Sequence, residues 1–281
     1  MTQLSPIGRF DRILLATDGS EFSAGAERVA IAMCAKGKAA LTAMTSVMGR
    51  SDPDGIGTDH LERAEAAATA VLETVDAAAT AAGITCSKVL RFGDDPYMEI
   101  LAEAEDSNID AIVVGRRGKR GLARLMLGDA TAKVIGGAKC SVMVVPKAAE
   151  MWSRRVLLAT DGSRSSDAAA IAAAAIAKCC GTPVTVMSVQ VPHHTRDRQD
   201  EAGPIIDRVV SLLRQDGVDA DGMVAQGLPH EAIAAAAAAT GADLIVMGSH
   251  GRTGLGRLLL GSNSQKVIGE AACPVLVAKG V

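Results

Sequence analysis

Short apolar runs alternate with longer amphipathic or alanine-rich stretches from one end of the chain to the other, and this alternation sets the element order. Arg12 to Thr17 predicts a strand, and Asp18-Gly19-Ser20 supplies turn and N-cap chemistry for the alanine-rich helix after it. Ala39 to Met48 predicts a second strand. A polar Gly/Asp/Pro loop from Gly49 to Thr58 and a long helix from about Asp59 to Ala82 follow, with Gly83 as C-cap. Ile84 to Arg91 predicts a third strand, Pro96 to Asp106 a helix with proline in its first turn, and Ala111 to Val114 a fourth strand. The loop from Gly115, a helix from about Asp129 and a strand from Val142 to Val145 close the series.

The same order then recurs. Leu14-Leu15-Ala16-Thr17-Asp18-Gly19-Ser20 returns letter for letter as Leu157-Leu158-Ala159-Thr160-Asp161-Gly162-Ser163, Asp110 to Gly115 matches Asp243 to Gly248, and Lys139 to Val145 matches Ala272 to Ala278. Second-copy strands fall near 155–160, 183–190, 218–225, 243–247 and 274–278. A period near half the length means a tandem pair, with domains 1–148 and 149–281 and a short linker from Lys147 to Ser153. Apolar strands separated by helices argue a parallel sheet covered on both faces, because parallel neighbours need crossover connections. The helices Asp167 to Cys180 and Glu231 to Thr240 are almost solid alanine, which close helix-to-sheet packing explains without a function.

Composition narrows the classes of function. The 281 residues suffice for two domains that each bury a core. A formal net charge of −3 argues against a general nucleic-acid binder, and five aromatic residues (Phe10, Phe22, Phe92, Tyr97, Trp152) offer no base-stacking platform. The segment MTQLSPIGRFDR lacks the apolar core of a signal peptide and no apolar run is long enough to span a bilayer, so the expected location is cytoplasmic, without a membrane partner. Cys34, Cys86, Cys140, Cys179, Cys180 and Cys273 are scattered through apolar segments and read as buried thiols. The five histidines lack metal-ligand spacing, and no structural metal is expected.

Recognisable chemistry concentrates between Gly248 and Ser264. The apolar run Asp243 to Met247 leads into a loop where Gly248 and Gly251 can take φ > 0 and leave no Cβ between backbone and ligand, so that their N–H groups can approach phosphate oxygens closely. Gly261-Ser262 opens a helix whose free N–H groups and positive dipole end form an anion site. Each feature also has a plainer reading: glycines after a strand make tight turns, Ser262 can serve only as an N-cap, Asp161 is an ordinary turn residue, and Arg252 and Arg257 suit a solvated surface. No Gly-x4-Gly-Lys-Ser/Thr loop occurs, and no Gly-x-Gly-x-x-Gly follows the first strand.

The complete spacing Gly-x2-Gly-x9-Gly-Ser, carried by Gly248, Gly251, Gly261 and Ser262, resembles the nucleotide-binding signature of the universal stress protein family. The ATDGS openings, Gly227-Leu228-Pro229 and the closing Cys273-Pro274-Val275-Leu276-Val277 are similar to family landmarks, so the resemblance covers nearly the whole chain, twice over. It implies an α/β fold of two tandem Rossmann-like (adenine nucleotide alpha hydrolase-like) domains. Each would be a five-stranded parallel sheet of order 3-2-1-4-5 with helices on both faces, and ATP, with Mg2+ bridging its phosphates, would lie where the strand order reverses. In the second copy it implies an ATP site of Ala159, Thr160, Asp161, Val189, Met247, Gly248, His250, Gly251, Arg252, Gly261, Ser262, Asn263 and Ser264. Asp161 would face the adenosine, Val189 would meet adenine through its backbone, and the two ends of the loop would surround the phosphates. It implies further that the fifth strands meet as subunits do in family dimers, giving an intrachain pseudo-dimer to which a homodimer contact can be added.

The first copy departs at one position. Gly115, Gly118 and Gly128 keep the spacing, but Asp129 stands where the signature has a hydroxyl. A carboxylate there suits the helix dipole yet repels a triphosphate. The corresponding weaker site comprises Asp18, Val47, Gly115, Arg117, Gly118, Gly128, Asp129 and Thr131. The basic cluster Arg116, Arg117, Lys119, Arg120 and Arg124 reads equally as a solvated face, a phosphate clamp or a partner surface. The expected function is an ATP-binding stress-response sensor or regulator with no assigned catalytic residue and at most slow hydrolysis, since neither a base nor an arginine finger stands beside the motif. The alternatives are an ATPase or adenylyl-transfer enzyme, and a nucleotide-free dimerisation module.

Overall fold

Central strands of this chain are almost wholly apolar because both of their faces are covered. The computed structural model describes residues 10–49, 58–117, 127–192, 195–251 and 260–279. The first half runs β1 (Arg12–Ala16), α1 (Ala24–Gly37), β2 (Ala40–Met48), α2 (Thr58–Ala81), β3 (Cys86–Gly93), α3 (Pro96–Asp106), β4 (Ala111–Gly115), α4 (Asp129–Gly137) and β5 (Ser141–Val145). The second runs β6 (Val156–Ala159), α5 (Arg164–Cys180), β7 (Val184–Gln190), α6 (Arg196–Asp200), α7 (Ala202–Gln215), β8 (Ala220–Gln226), α8 (Pro229–Thr240), β9 (Leu244–Gly248), α9 (Ser262–Glu270) and β10 (Val275–Ala278). Every residue of β4, β5, β9 and β10 is buried, whereas β3 and β8 at the outer edges are largely half-buried or exposed.

The strands form one sheet in the order β3-β2-β1-β4-β5-β10-β9-β6-β7-β8. Each half therefore has the order 3-2-1-4-5 with parallel pairing throughout. The join between halves is antiparallel: Val275 opposes Val144, Leu276 opposes Met143, and Val277 opposes Val142. All six side chains are at most 1% exposed. Antiparallel joining points the two halves in opposite directions, so the carboxyl ends of β1 and β4 lie at the edge where β6 and β9 begin. One face of the sheet packs Val29, Leu72, Ile176 and Val209 from α1, α2, α5 and α7, and the other packs Ala104, Ile135, Ile233 and Ile268 from α3, α4, α8 and α9.

Local chemistry explains where the elements start. Pro96 and Pro229 open α3 and α8, and the Ser163 hydroxyl accepts the Ser166 N–H (3.3 Å) as N-cap of α5. In the first half the equivalent Ser20 is not the cap. Its hydroxyl donates to Asp18 Oδ1 (2.6 Å) and its carbonyl accepts the Ser23 N–H (3.0 Å), so a turn intervenes and α1 begins only after Ser23. β3 starts at Cys86, later than the expected Ile84, because the Ile84 N–H is committed to Ala79 O (2.9 Å) in closing α2 around Gly83 (φ +75°).

Two clasps hold the linker. Arg28 donates to Lys147 O (2.8 Å) and Ala149 O (3.1 Å), and Asp243 accepts the N–H groups of Ser153, Arg154 and Arg155 at 2.9, 3.0 and 3.0 Å. Burial pushes the Asp243 pKa up, but these N–H groups outweigh it and the net direction is down. A depressed carboxylate adds stability that is present above its unfolded pKa and lost as pH falls through the folded value. All six thiols are free. Burial pushes Cys34 up to about 12 and Cys140 and Cys273 up to about 11, but of the six expected buried thiols only Cys34 is fully buried; Cys86, Cys140, Cys180 and Cys273 are half-buried and Cys179, in the last turn of α5, is exposed. Among the described residues no helix is long and apolar enough to cross a membrane.

The join makes a testable demand. Leu276→Ala removes a fully buried side chain from the β10 strand and is expected to cost about 2–5 kcal/mol in urea unfolding, lowering the whole chain in one transition. Two separate transitions, with only one displaced, would contradict a shared core.

Candidate functional site

The strand order reverses between β6 and β9 in the second half, and four segments converge there. Beyond Ala159 the Thr160 N–H still pairs with Met187 O (2.9 Å), while the Thr160 hydroxyl accepts the Gly162 N–H (3.2 Å) and bonds to Ser166 Oγ (3.0 Å). Asp161 Oδ1 accepts the Ser163 N–H (3.0 Å), so the plain turn reading of Asp161 is right as far as that oxygen goes. The other oxygen faces the glycine loop: a Cβ on Gly251 would lie 2.9 Å from Asp161 Oδ2.

Gly248 ends β9 against the start of α5. A Cβ there would meet the Ser165 backbone carbon and oxygen, both at 2.7 Å. Neither Gly248 nor Gly251 has positive φ, so of the two expected uses of glycine, left-handed backbone and absence of a Cβ, the first is corrected and the fold uses only the second. Polar contacts staple the loop to α5: the His250 N–H donates to Ser165 Oγ (3.3 Å), and Ser249 Oγ lies 3.4 Å from Ser165 Oγ and 3.0 Å from His250 Nδ1. Ser165 and Ser249 were not identifiable from spacing, since serine after ATDGS or between glycines carries no distinct signal.

The far end of the loop returns to the same place. The Gly261 N–H donates to Ser249 O (3.3 Å), and Gly261 is the N-cap of α9, so Ser262 is the first helical residue and not the cap. The Gln265 N–H makes the first intrahelical bond, to Gly261 O (3.0 Å), and no side chain caps the helix. The N–H groups of Ser262, Asn263 and Ser264 therefore have no intrahelical acceptor, at the end of α9 that carries the positive dipole. Met247 and Leu260 are buried beneath, and the half-buried Ala159 and Val189 pack on the same apolar cluster. The fold thus gathers the predicted residues, except Arg252, which with Arg257 lies outside the described residues.

The first half keeps this backbone and changes its charges. A Cβ on Gly115 would lie 2.8 Å from Phe22 O, the Gly128 N–H donates to Arg116 O (3.0 Å), and the buried Thr131 hydroxyl donates to Gly115 O (3.1 Å). Asp129, the first residue of α4, turns along the helix to Lys133 Nζ (2.8 Å), which sits 5.1 Å from the Tyr97 ring. Asp18 Oδ1 accepts the Ser20 N–H (3.0 Å) and the Ser23 hydroxyl (3.1 Å), and Glu27 Oε1 accepts the Thr17 hydroxyl (2.5 Å), where the second half has Ala170. Three carboxylates therefore surround the first switch point. The Thr17 N–H to Met44 O bond matches Thr160 to Met187, which makes Ser46 the counterpart of Val189; Val47, expected in that role, is one residue on and faces the other way. Arg117 is half-buried, and Gly118, Lys119, Arg120 and Arg124 lie outside the described residues. Arg116 does not join a phosphate clamp, because its Nη1 donates to Gly269 O (3.0 Å) and Ala271 O (2.9 Å) in the other half.

Packing at the glycines predicts a contrast. Gly248→Ala is expected to cost about 1–3 kcal/mol, since backbone atoms of Ser165 must move. Gly261→Ala, whose Cβ would find its nearest neighbour at 3.6 Å, should cost less than about 1 kcal/mol. Equal losses in thermal unfolding would show that Gly248 is not a close-approach position.

Comparison with known proteins agrees with this geometry. A profile of the universal stress protein family matches residues 9–146 and again 153–279. A universal stress protein of Thermus aquaticus is 36% identical over 137 residues, covering 45% of this chain and 98% of that protein, and the universal stress protein YxiE of Bacillus subtilis (strain 168) is 31% identical over 145 residues, covering 44% and 98%. The crystal structure of a universal stress protein from Archaeoglobus fulgidus DSM 4304 is similar over 96% of this chain and 99% of that one, with a TM-score of 0.79 and 26% identity. With the family pattern matched twice along one chain and both copies built on the same switch-point scaffold, the chain belongs to the universal stress protein family.

Proposed function

We propose that this protein binds ATP at the second-half switch point and acts as a nucleotide-dependent stress-response sensor or regulator. The observation that carries the reading is the trio of N–H groups of Ser262, Asn263 and Ser264, left without intrahelical acceptors beside Asp161 and the Cβ-free Gly251. The trio suits phosphate, the Asp161 carboxylate suits a ribose hydroxyl, and the apolar floor of Ala159, Val189 and Met247 suits adenine. Mg2+ bound with the nucleotide would neutralise phosphate charge; the chain's own contribution is binding and orientation. His250 Nδ1 is turned to Ser249 Oγ and Asp161 Oδ1 accepts the Ser163 N–H, an arrangement of binding groups that fits a regulator.

In this reading the units are residues 1–148 and 149–281, and their antiparallel join makes the chain a pseudo-dimer with one strong site. The first half, with Asp18, Glu27 and Asp129 around its switch point, binds nucleotide weakly. A cytoplasmic location, where ATP and Mg2+ are abundant, fits the same reading.

Calorimetric titration with ATP, AMP, cyclic AMP and adenosine, beside a long-incubation phosphate-release assay, tests it. One site per chain is expected, with ATP at least about tenfold tighter than adenosine, a difference of about 1.4 kcal/mol. Ser262→Asp should weaken ATP about tenfold, and Asp129→Ser should strengthen the weak first site. Two equivalent wild-type sites, or equal affinity for adenosine and ATP, would contradict the proposal.

A further inference from the structure

We infer that Arg116 of the first half is a positioning residue for the second-half nucleotide site: it anchors α9 from behind, so the phosphate-receiving helix is completed by the sister domain. The inference rests on the reading of α9 as the phosphate site. Its geometric basis is the antiparallel join of β5 and β10, which brings the loop after β4 to the edge of the sheet where α9 ends.

The Arg116 backbone is held on both sides within its own domain. Its N–H donates to Val145 O (3.0 Å) and its carbonyl accepts the Gly128 N–H (3.0 Å), at the start of α4. From this fixed base, Nη1 reaches Gly269 O (3.0 Å) and Ala271 O (2.9 Å), carbonyls of the last turn of α9 and of its C-cap. Burial, and then the neighbouring Arg117, push the guanidinium pKa down, yet arginine stays charged at neutral pH. The two bonds are charge-assisted and satisfy carbonyls that a helix end leaves open.

α9 depends on such help. Nine residues make a helix about 13 Å long, marginal by itself. No side chain caps its N-terminus, which is held by the Gly261 N–H bond to Ser249 O and by the buried Ser264 and Val267, and the grip at the other end adds to these in fixing the aim of the Ser262, Asn263 and Ser264 N–H groups. A cation at the C-terminus also matches the dipole whose positive end meets the phosphates. Support runs one way: the counterpart of Arg116 is Ser249, whose hydroxyl turns to His250 and Ser165, and among the described residues no side chain donates to the last carbonyls of α4.

The test uses the full chain with Arg116→Met, which keeps an unbranched apolar stem, and Arg116→Lys, which keeps the charge without the fork. ATP and adenosine are titrated by calorimetry against each. Arg116→Met should weaken ATP about fivefold and leave adenosine unchanged, and Arg116→Lys should recover part of the loss. Unchanged ATP affinity in Arg116→Met, or equal losses for ATP and adenosine, would overturn the inference while leaving the site itself standing. Absence of ATP binding in the wild type would instead remove the site on which it rests. If Arg116→Met fails to fold, an Arg116→Lys variant with wild-type ATP affinity and wild-type protection of the α9 amides from hydrogen exchange would overturn it, and selective loss of ATP binding in that variant would support it.

Discussion

The antiparallel contact of β5 with β10 is the constraint from which the rest of this structure follows. Each half alone would end in an edge strand that is apolar on both faces, Ser141–Val145 in one and Val275–Ala278 in the other. Such an edge invites pairing with other chains, and here each half covers the other. The contact fuses two sheets into one and makes both apolar clusters common to both halves. It also sets direction: the two switch points face opposite edges, and Arg116, just after β4, comes to lie at the end of α9. That Arg116 meets the end of α9 is a consequence of strand polarity as much as of its own chemistry.

Within this frame the same backbone device appears twice with different electrostatics. Both copies have glycine at the end of the fourth strand where a Cβ would strike backbone, and a third glycine bonded back to the loop's first residue. Both leave a helix N-terminus open. Asp129 is harmless to folding there, because a carboxylate in the first turn suits the dipole and finds Lys133 one turn on. Glu27 is likewise satisfied by the Thr17 hydroxyl. The fold thus tolerates substitutions in the first copy that oppose a phosphate ligand, so scaffold and binding chemistry can diverge separately.

Much of this was legible in the sequence, for identifiable reasons. Runs such as Asp243 to Met247 are long enough for one strand and too short for a helix, Pro96 and Pro229 mark helix starts, and the letter-for-letter return of LLATDGS exposes the duplication. The glycine spacing pointed to the segments that the fold brings together. What the sequence withheld depends on tertiary contacts. Ser20 and Ser163 occupy identical motifs, yet only Ser163 caps a helix, because residues 20–23 make an extra turn. The register that makes Ser46 the match of Val189 is set by pairing between strands, and the reach of Arg116 across the join leaves no trace in local pattern.

The central claim is that nucleotide phosphates dock on the open N-terminus of α9 and not on that of α4. Amide chemical shifts of the isotope-labelled full chain, followed during titration with ATP and Mg2+, address it residue by residue. The account predicts the largest changes at Gly251, Ser262, Asn263 and Ser264, with Asp129, Ala130 and Thr131 little affected until ATP is in large excess. Changes of equal size and midpoint at the two helix starts, or none at Ser262 to Ser264, would contradict it.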